Sequence, residues 1–332
     1  MNFYFYFYFI TSLIASLLLF LTYAKIATKL SIIDKTNNFN NPETVTSGGL
    51  VIFLNLIIGF FFFIWSNQLS LEHIPNNLFF TFVALSILFI ISFIDDMYPI
   101  DPKIKLATQI ILIFFSLTSL NITSISLPLK VSTFLFVIVW VYITNIINFI
   151  DGVDGFAGTQ VLFIFFNVIL ICYLINFEIF SFYLSLILLP VMIIFLYFNK
   201  PNAKIYLGDA GSIVLGFLVG FIFLELIILK EYLLAISLII YPLTDCSITL
   251  LKRVYNKNLP WVKKEDYFFS YLQAEDRKNK KYIFKINFIF CLLNSFLIAL
   301  QILINEYFFI LNIFLVTIAI ISYRKKIELK YL

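Results

Sequence analysis

The sequence predicts an all-α, polytopic integral membrane protein of about eleven transmembrane helices, one membrane-embedded domain over residues 1–332, on three observations. Hydrophobic residues make up 62% of the chain and charged ones 13%, against about 25% charged in a typical soluble domain. Apolar runs long enough for a bilayer core, roughly 20 residues each, recur with short polar stretches between them. Basic residues collect in alternate connections. A soluble core has no use for so much continuous apolar surface. The aromatic opening Phe3-Tyr4-Phe5-Tyr6 adds only the interfacial preference of such rings.

The first run, 3–24, has no basic residue before it, while Lys25 and Lys29 follow. It reads as an uncleaved span with its N-terminus outside. The second, 48–65, opens on Gly48-Gly49, and the third, 78–94, ends at Asp95-Asp96. Lys103 and Lys105 precede the fourth, 106–122, and Lys130 precedes the fifth, 131–150. The sixth and seventh, 156–175 and 181–198, flank a short outer connection. The eighth, 212–229, carries Glu225 near its outer end, read as structural. The ninth, 232–251, contains Asp245 and is followed by Lys252-Arg253; an internal ion pair and a functional acid are both open readings there. The last two are 283–304 and 307–322, after the longest inner connection, 252–282, whose basic character suits anionic headgroups. With the N-terminus outside, only Lys130 and Lys230 of the 23 Lys and Arg residues lie outside. The positive-inside rule therefore predicts N-out and C-in.

Ionisable residues at membrane depth are costly and point to function. The topology sends four groups of them to the inner surface, around 95–105, 145–158 and 199–212 and at Asp245 with Lys252-Arg253. The candidate site is drawn from the inner loops around 95–105, 145–158, 199–212 and 252–282. The adjacent carboxylates Asp95 and Asp96 repel each other unless a cation or proton intervenes; Mg²⁺ is held by one or two carboxylates plus substrate phosphates. A solvated helix end is the plain alternative. Asn145, Asn148, Asp151 and Asp154 recur every three residues, a spacing that gathers them on one helical face. The run Asn199 to Ser212, with Gly208-Asp209-Ala210-Gly211-Ser212, places backbone N–H groups at a helix start, suited to phosphate or to ordinary capping. Acids able to hold a metal, beside lysines able to meet phosphate, are what phosphoryl transfer uses. Cys172, Cys246 and Cys291 have no metal-ligand spacing, and the single histidine, His73, is predicted outside, so neither thiolate–histidine nor zinc chemistry is available.

From Gly48-Gly49 to about Leu272 the chain resembles the polyprenyl-phosphate N-acetylhexosamine-1-phosphate transferases (glycosyltransferase family 4), the superfamily that includes the phospho-MurNAc-pentapeptide translocase. The resemblance rests on three motifs in order: Asp95-Asp96, then Asn148-Phe-Ile-Asp151-Gly-x-Asp154-Gly, then Asn199…Lys204-Ile-Tyr206-Leu-Gly208-Asp209-x-Gly211-Ser212. Eleven spans resemble the polysaccharide-priming branch. The resemblance implies Mg²⁺, with Mn²⁺ as an alternative, held by Asp209 with Asp95 and Asp96. It implies catalytic roles for Asp95, Asp96, Asp154 and Lys105. Asn148, Asp151, Asn199, Lys204, Tyr206 and Gly208 would bind substrate, together with Lys264 and Tyr267. Those last two stand where the family carries histidines, a departure that argues against the pentapeptide translocase and admits a divergent substrate or an inactive relative. The implied reaction passes a sugar 1-phosphate from a UDP-sugar to a polyprenyl phosphate, at the cytoplasmic side of the inner (plasma) membrane, with release of UMP. The implied partners are that lipid, the UDP-sugar and the bilayer, with a homodimer as a further candidate and no nucleic acid. A transporter, the rival class, predicts midplane charges and a repeat relating two halves; only Asp245 has the depth, and no repeat is visible.

Overall fold

The computed structural model describes residues 3–33, 44–66, 74, 78–120, 122, 128–255 and 277–328. The described chain is a bundle of twelve helices: α1 (Phe3–Lys29), α2 (Gly49–Trp65), α3 (Leu78–Met97), α4 (Pro102–Ser116), α5 (Leu129–Phe149), α6 (Phe156–Ile175), α7 (Phe180–Asn199), α8 (Gly208–Ile228), α9 (Tyr232–Leu238), α10 (Ile240–Tyr255), α11 (Arg277–Leu303) and α12 (Phe308–Glu328). Extended pairing among the described residues is limited to two isolated bridges, Ile33 to Val45 and Val45 to Ile205.

Helices stand at each of the eleven predicted positions, but they differ in reach. Seven are long and apolar enough to cross a membrane: α1, α3, α5, α6, α7, α8 and the Lys280–Leu303 part of α11. The α9–α10 pair makes an eighth if the two helices count as one span. Helix α2 and the Phe308–Ile318 part of α12 are apolar but shorter. Helix α4 has 15 residues, a length of about 23 Å against a hydrocarbon core of about 30 Å. The chain is a multi-pass membrane protein, and its outer faces agree: Leu18, Phe61, Phe134 and Phe296 are all exposed, with lipid as the natural solvent for them.

The predicted single span 232–251 is instead two helices bent by 74°. Pro242 supplies the reason. In one continuous helix its ring would clash with the carbonyl of Leu238, and its missing N–H would leave that carbonyl without a partner. With the break at Ile239, Pro242 falls in the first turn of α10, where no N–H is needed. The Ser237 carbonyl near the break accepts from Asn294 Nδ2 of α11 at 3.0 Å, and Ser237 Oγ donates to Gln301 Oε1 at 3.0 Å. These are the partners a broken helix requires in an apolar medium.

Helix α8 is the most enclosed of the spans and α1 the least. It packs on α5, α3 and α2. Trp140 of α5 lies against Phe217 and Phe221, and its indole N–H donates to the Phe217 carbonyl at 2.8 Å. Glu225 of α8 accepts from the Ser181 hydroxyl and from the Ser181 backbone N–H at 3.0 Å. It thereby partners a backbone N–H that the start of α7 would otherwise leave unpaired and has a structural role. The three cysteines are buried and unbridged on α6, α10 and α11. His73 lies outside the described residues.

This scaffold gathers one set of helix ends. The C-terminal ends of α3, α5 and α7 and the N-terminal ends of α4, α6 and α8 meet at one end of the bundle, and the connections between them carry the candidate residues.

Candidate active site

The turn from α3 into α4 is fixed by its own acids. Asp95 Oδ1 accepts from the Ile100 N–H at 2.7 Å. Asp101 is the N-cap of α4, its carboxylate accepting from the Lys103 N–H at 2.8 Å, and Pro102 occupies the first helical position. Lys105 therefore leaves the first turn of α4 facing back across α3. Its Nζ lies 2.6 Å from Asp95 Oδ2 and 2.9 Å from Asp209 Oδ2. Burial opposes its charge, but the carboxylates of Asp209 and Asp95 outweigh that effect and raise its pKa above the usual lysine value, so it is an ammonium at neutral pH.

Asp96 points to a different set of partners. Its Oδ2 accepts from Ser47 Oγ at 2.6 Å, and its Oδ1 accepts from the Asp209 N–H at 2.7 Å. The Ala210 N–H donates to Oδ2 at 3.3 Å. Asp96 thus caps α8 from another helix, placing a negative charge at the positive end of the α8 dipole. Two of the N–H groups at that helix start, where the sequence suggested a phosphate, those of Asp209 and Ala210, go to Asp96. Ser47 is delivered by segment 44–49, which runs beside 203–207: Tyr206 N–H donates to the Val45 carbonyl at 2.7 Å and Gly48 N–H to the Tyr206 carbonyl at 2.9 Å.

Gly208 makes this arrangement sterically workable. Its φ is +72°, and a Cβ there would collide with Asp96 Oδ2 and with the Ser47 backbone. The left-handed conformation alone costs about 1–2 kcal/mol for an L-residue. Gly208→Ala is therefore expected to lower the thermal unfolding midpoint in detergent and to displace the Asp96 cap; an unchanged midpoint would contradict this packing. Gly49 plays the complementary part, since its backbone lies directly on Gly211 and any side chain would hold α2 off α8.

The spacing of Asn145, Asn148, Asp151 and Asp154 predicted one shared face, and the structure divides them. Helix α5 ends at Phe149, and the turn that follows includes Gly155 at φ +74°, so the three-residue period stops in its middle. Asn145 donates to Gln109 Oε1 at 2.7 Å, and Asn148 accepts from Ser212 Oγ at 2.9 Å, which joins α5 to the first turn of α8. Asp151 is half-buried in the turn.

Asp154, expected as a catalytic acid, is buried with 2% of its surface exposed. Its Oδ2 accepts from Lys280 Nζ at 3.2 Å and from the N–H groups of Asn202 and Ala203 at 3.1 and 3.4 Å. Asn199 continues that group: its Oδ1 accepts from the Gly155 N–H at 3.0 Å and its Nδ2 donates to the Ile205 carbonyl at 2.9 Å. Asp154 and Asn199 therefore shape the segment 199–206, on which Lys204 is exposed and Tyr206 half-buried. Lys264 and Tyr267 lie outside the described residues. Sequence reasoning missed Ser47 and Lys280. Lys280 was only one inner-side basic residue among many, although the spacing of Lys280, Phe284 and Asn287 marks one face of α11. That face meets Asp154, Gly155 and Phe156: Phe284 packs against Gly155, and Asn287 Nδ2 donates to the Phe156 carbonyl at 3.1 Å.

Among the described residues no three His, Cys, Asp or Glu side chains stand together as a metal site. Of the expected set of Asp209, Asp95 and Asp96, the Asp96 oxygens accept from Ser47 and from two N–H groups of α8. Asp95 and Asp209 nonetheless converge on one cation, the Lys105 ammonium. Two carboxylate oxygens facing a single positive charge suit Mg²⁺, which takes one or two carboxylates and completes its octahedron with water and phosphate oxygens.

The model for glycosyl transferase family 4 matches residues 78–227, a range that holds Asp95, Asp96, Lys105, Asn148, Asp151, Asp154, Asn199, Lys204, Tyr206, Gly208 and Asp209. The chain is 27% identical over 265 residues to a probable undecaprenyl-phosphate N-acetylglucosaminyl 1-phosphate transferase of Bacillus subtilis (strain 168), covering 75% of this chain and 72% of that one. It is 29% identical over 224 residues to the phospho-N-acetylmuramoyl-pentapeptide-transferase of Streptococcus pneumoniae serotype 19F, covering 62% of this chain and 66% of that one. To the enzyme of the same name from Streptococcus mutans serotype c it is 32% identical over 206 residues, covering 54% and 58%. The chain thus spans less than two thirds of the two streptococcal relatives.

Proposed function

Because the chain belongs to glycosyl transferase family 4, we propose that it transfers a sugar 1-phosphate from a UDP-sugar to a polyprenyl phosphate, releasing UMP. The observation that carries this reading is the meeting of Asp95, Lys105 and Asp209 at one end of a membrane bundle. Two phosphate-bearing substrates must approach each other there against their own repulsion. Lys105 supplies a positive charge for a phosphate oxygen, and Asp95 with Asp209 would hold Mg²⁺. That ion, when bound, supplies the charge that offsets the transferring phosphoryl group. An oxygen of the lipid phosphate attacks the sugar-bearing phosphorus, and the bond to UMP breaks. The bond between the sugar and its phosphate is untouched, so anomeric configuration is kept. A phosphomonoester is already ionised near neutral pH, so Asp95 acts by placing charge and not by removing a proton. Asp154 and Asn199 act one step further back, by shaping the 199–206 segment where Lys204 and Tyr206 would meet the nucleotide.

The proposal extends to an N-acetylaminosugar donor, an undecaprenyl carrier, priming of a cell-envelope polysaccharide, and eleven spans that put the site at the cytoplasmic face of the plasma membrane. The B. subtilis relative supports the donor and the carrier by its name, and the basic inner connections support the orientation. The test is UMP release by the detergent-purified protein with undecaprenyl phosphate and Mg²⁺, across a panel of UDP-N-acetylaminosugars that includes UDP-MurNAc-pentapeptide. Release with one simple aminosugar is the expected result. Release with the pentapeptide donor alone moves the protein to the second reading, that of the streptococcal relatives. Silence across the panel, with a lipid proved competent by a known transferase, overturns the proposal.

A further inference from the structure

Lys105 stands where a metal would. Its ammonium touches one oxygen of Asp95 and one of Asp209, at 2.6 and 2.9 Å, and a divalent cation held by the two acids would draw on the same pair of carboxylates. The three side chains are 22%, 10% and 14% exposed, respectively. Water screens such a cluster only in part, so two carboxylates without a cation would be costly there. An ammonium and a divalent ion crowded onto the same pair of carboxylates would repel each other at close range. The backbone of Lys105 is pinned by the Asp101 cap, but its four-carbon stem is flexible, so the head group can move without the helix.

We infer that Lys105 and the divalent cation exchange places: the lysine is the resident counter-ion of Asp95 and Asp209, and metal entry turns its ammonium out toward a phosphate oxygen. This rests on the metal role proposed for that pair. It adds an order of events: metal enters first, and only then is a positive charge released for the anionic substrate. Before metal enters, the lysine is held by carboxylates and offers no free charge to a phosphate.

Mn²⁺ binding followed by electron paramagnetic resonance, without substrate, tests the exchange. Lys105→Met keeps much of the stem and removes the competitor. It is expected to bind Mn²⁺ about tenfold more tightly than the wild type, a change of about 1.4 kcal/mol, while Asp209→Asn loses the site. If Lys105→Met binds equally or more weakly while the wild type binds, the exchange is wrong and the metal reading stands. If the wild type shows no Mn²⁺ binding beyond Asp209→Asn, both fall. A second measurement needs no variant: acetylation of Lys105 in the wild type, followed by mass spectrometry, should quicken several-fold when Mg²⁺ is added. A rate that stays constant or drops with Mg²⁺ also overturns the exchange.

Discussion

Asp209→Asn is expected to lower UMP release by about a thousandfold, or about 4 kcal/mol of barrier, while leaving the unfolding midpoint in detergent near that of the wild type. The separation follows from what each part of the residue does. The α8 start is held through the Asp209 backbone N–H, which donates to Asp96 at 2.7 Å, and asparagine keeps that N–H. The side chain is spent on charge: its Oδ2 is one of two carboxylate oxygens on the Lys105 ammonium. Asparagine is nearly the same size and removes one negative charge where Mg²⁺ would be held. Asp96→Asn has the opposite balance. The Asp96 oxygens serve Ser47 and two N–H groups of α8, so its loss acts on stability as well as on turnover. Activity in Asp209→Asn above about a tenth of the wild-type value would remove Asp209 from the chemistry and with it the proposed site.

The helices were legible because a bilayer demands long apolar runs, and the runs at 3–24, 78–94 and 156–175 contain little else. The Asp95, Lys105 and Asp209 group was legible because intramembrane acids are rare enough to mark themselves. Three features were not, each for a local reason. Hydropathy is blind to the 74° bend before Pro242, since the residues on both sides of the break are equally apolar. The three-residue spacing from Asn145 to Asp154 holds only while a helix continues, and α5 stops at Phe149. Nothing local to the α8 start shows that Asp96, 113 residues earlier, reaches two of its amides. Pairings across such distances depend on packing that one sequence does not display.

The second large effect belongs to the buried pair of Asp154 and Lys280. Asp154 is 2% and Lys280 5% exposed, and they are 126 residues apart in sequence. Breaking one side of such a pair leaves an unpartnered charge in a low-dielectric interior, at a cost of about 3–5 kcal/mol. Lys280→Met is therefore expected to reduce stability by that amount in a reversible unfolding titration. The neutral pair, Asp154→Asn with Lys280→Met, should recover at least about 2 kcal/mol, because no charge remains buried and asparagine still offers an oxygen to the Asn202 and Ala203 N–H groups. The same cycle separates a catalytic acid from a positioning one. If Asp154 only shapes the 199–206 segment, the double variant should keep kcat within about tenfold and show its loss mainly in KM for the UDP-sugar. A double variant that is stable yet loses kcat as heavily as Asp209→Asn would return Asp154 to the catalytic acids. Strict additivity of the two single losses would mean that the pair does not act as a unit.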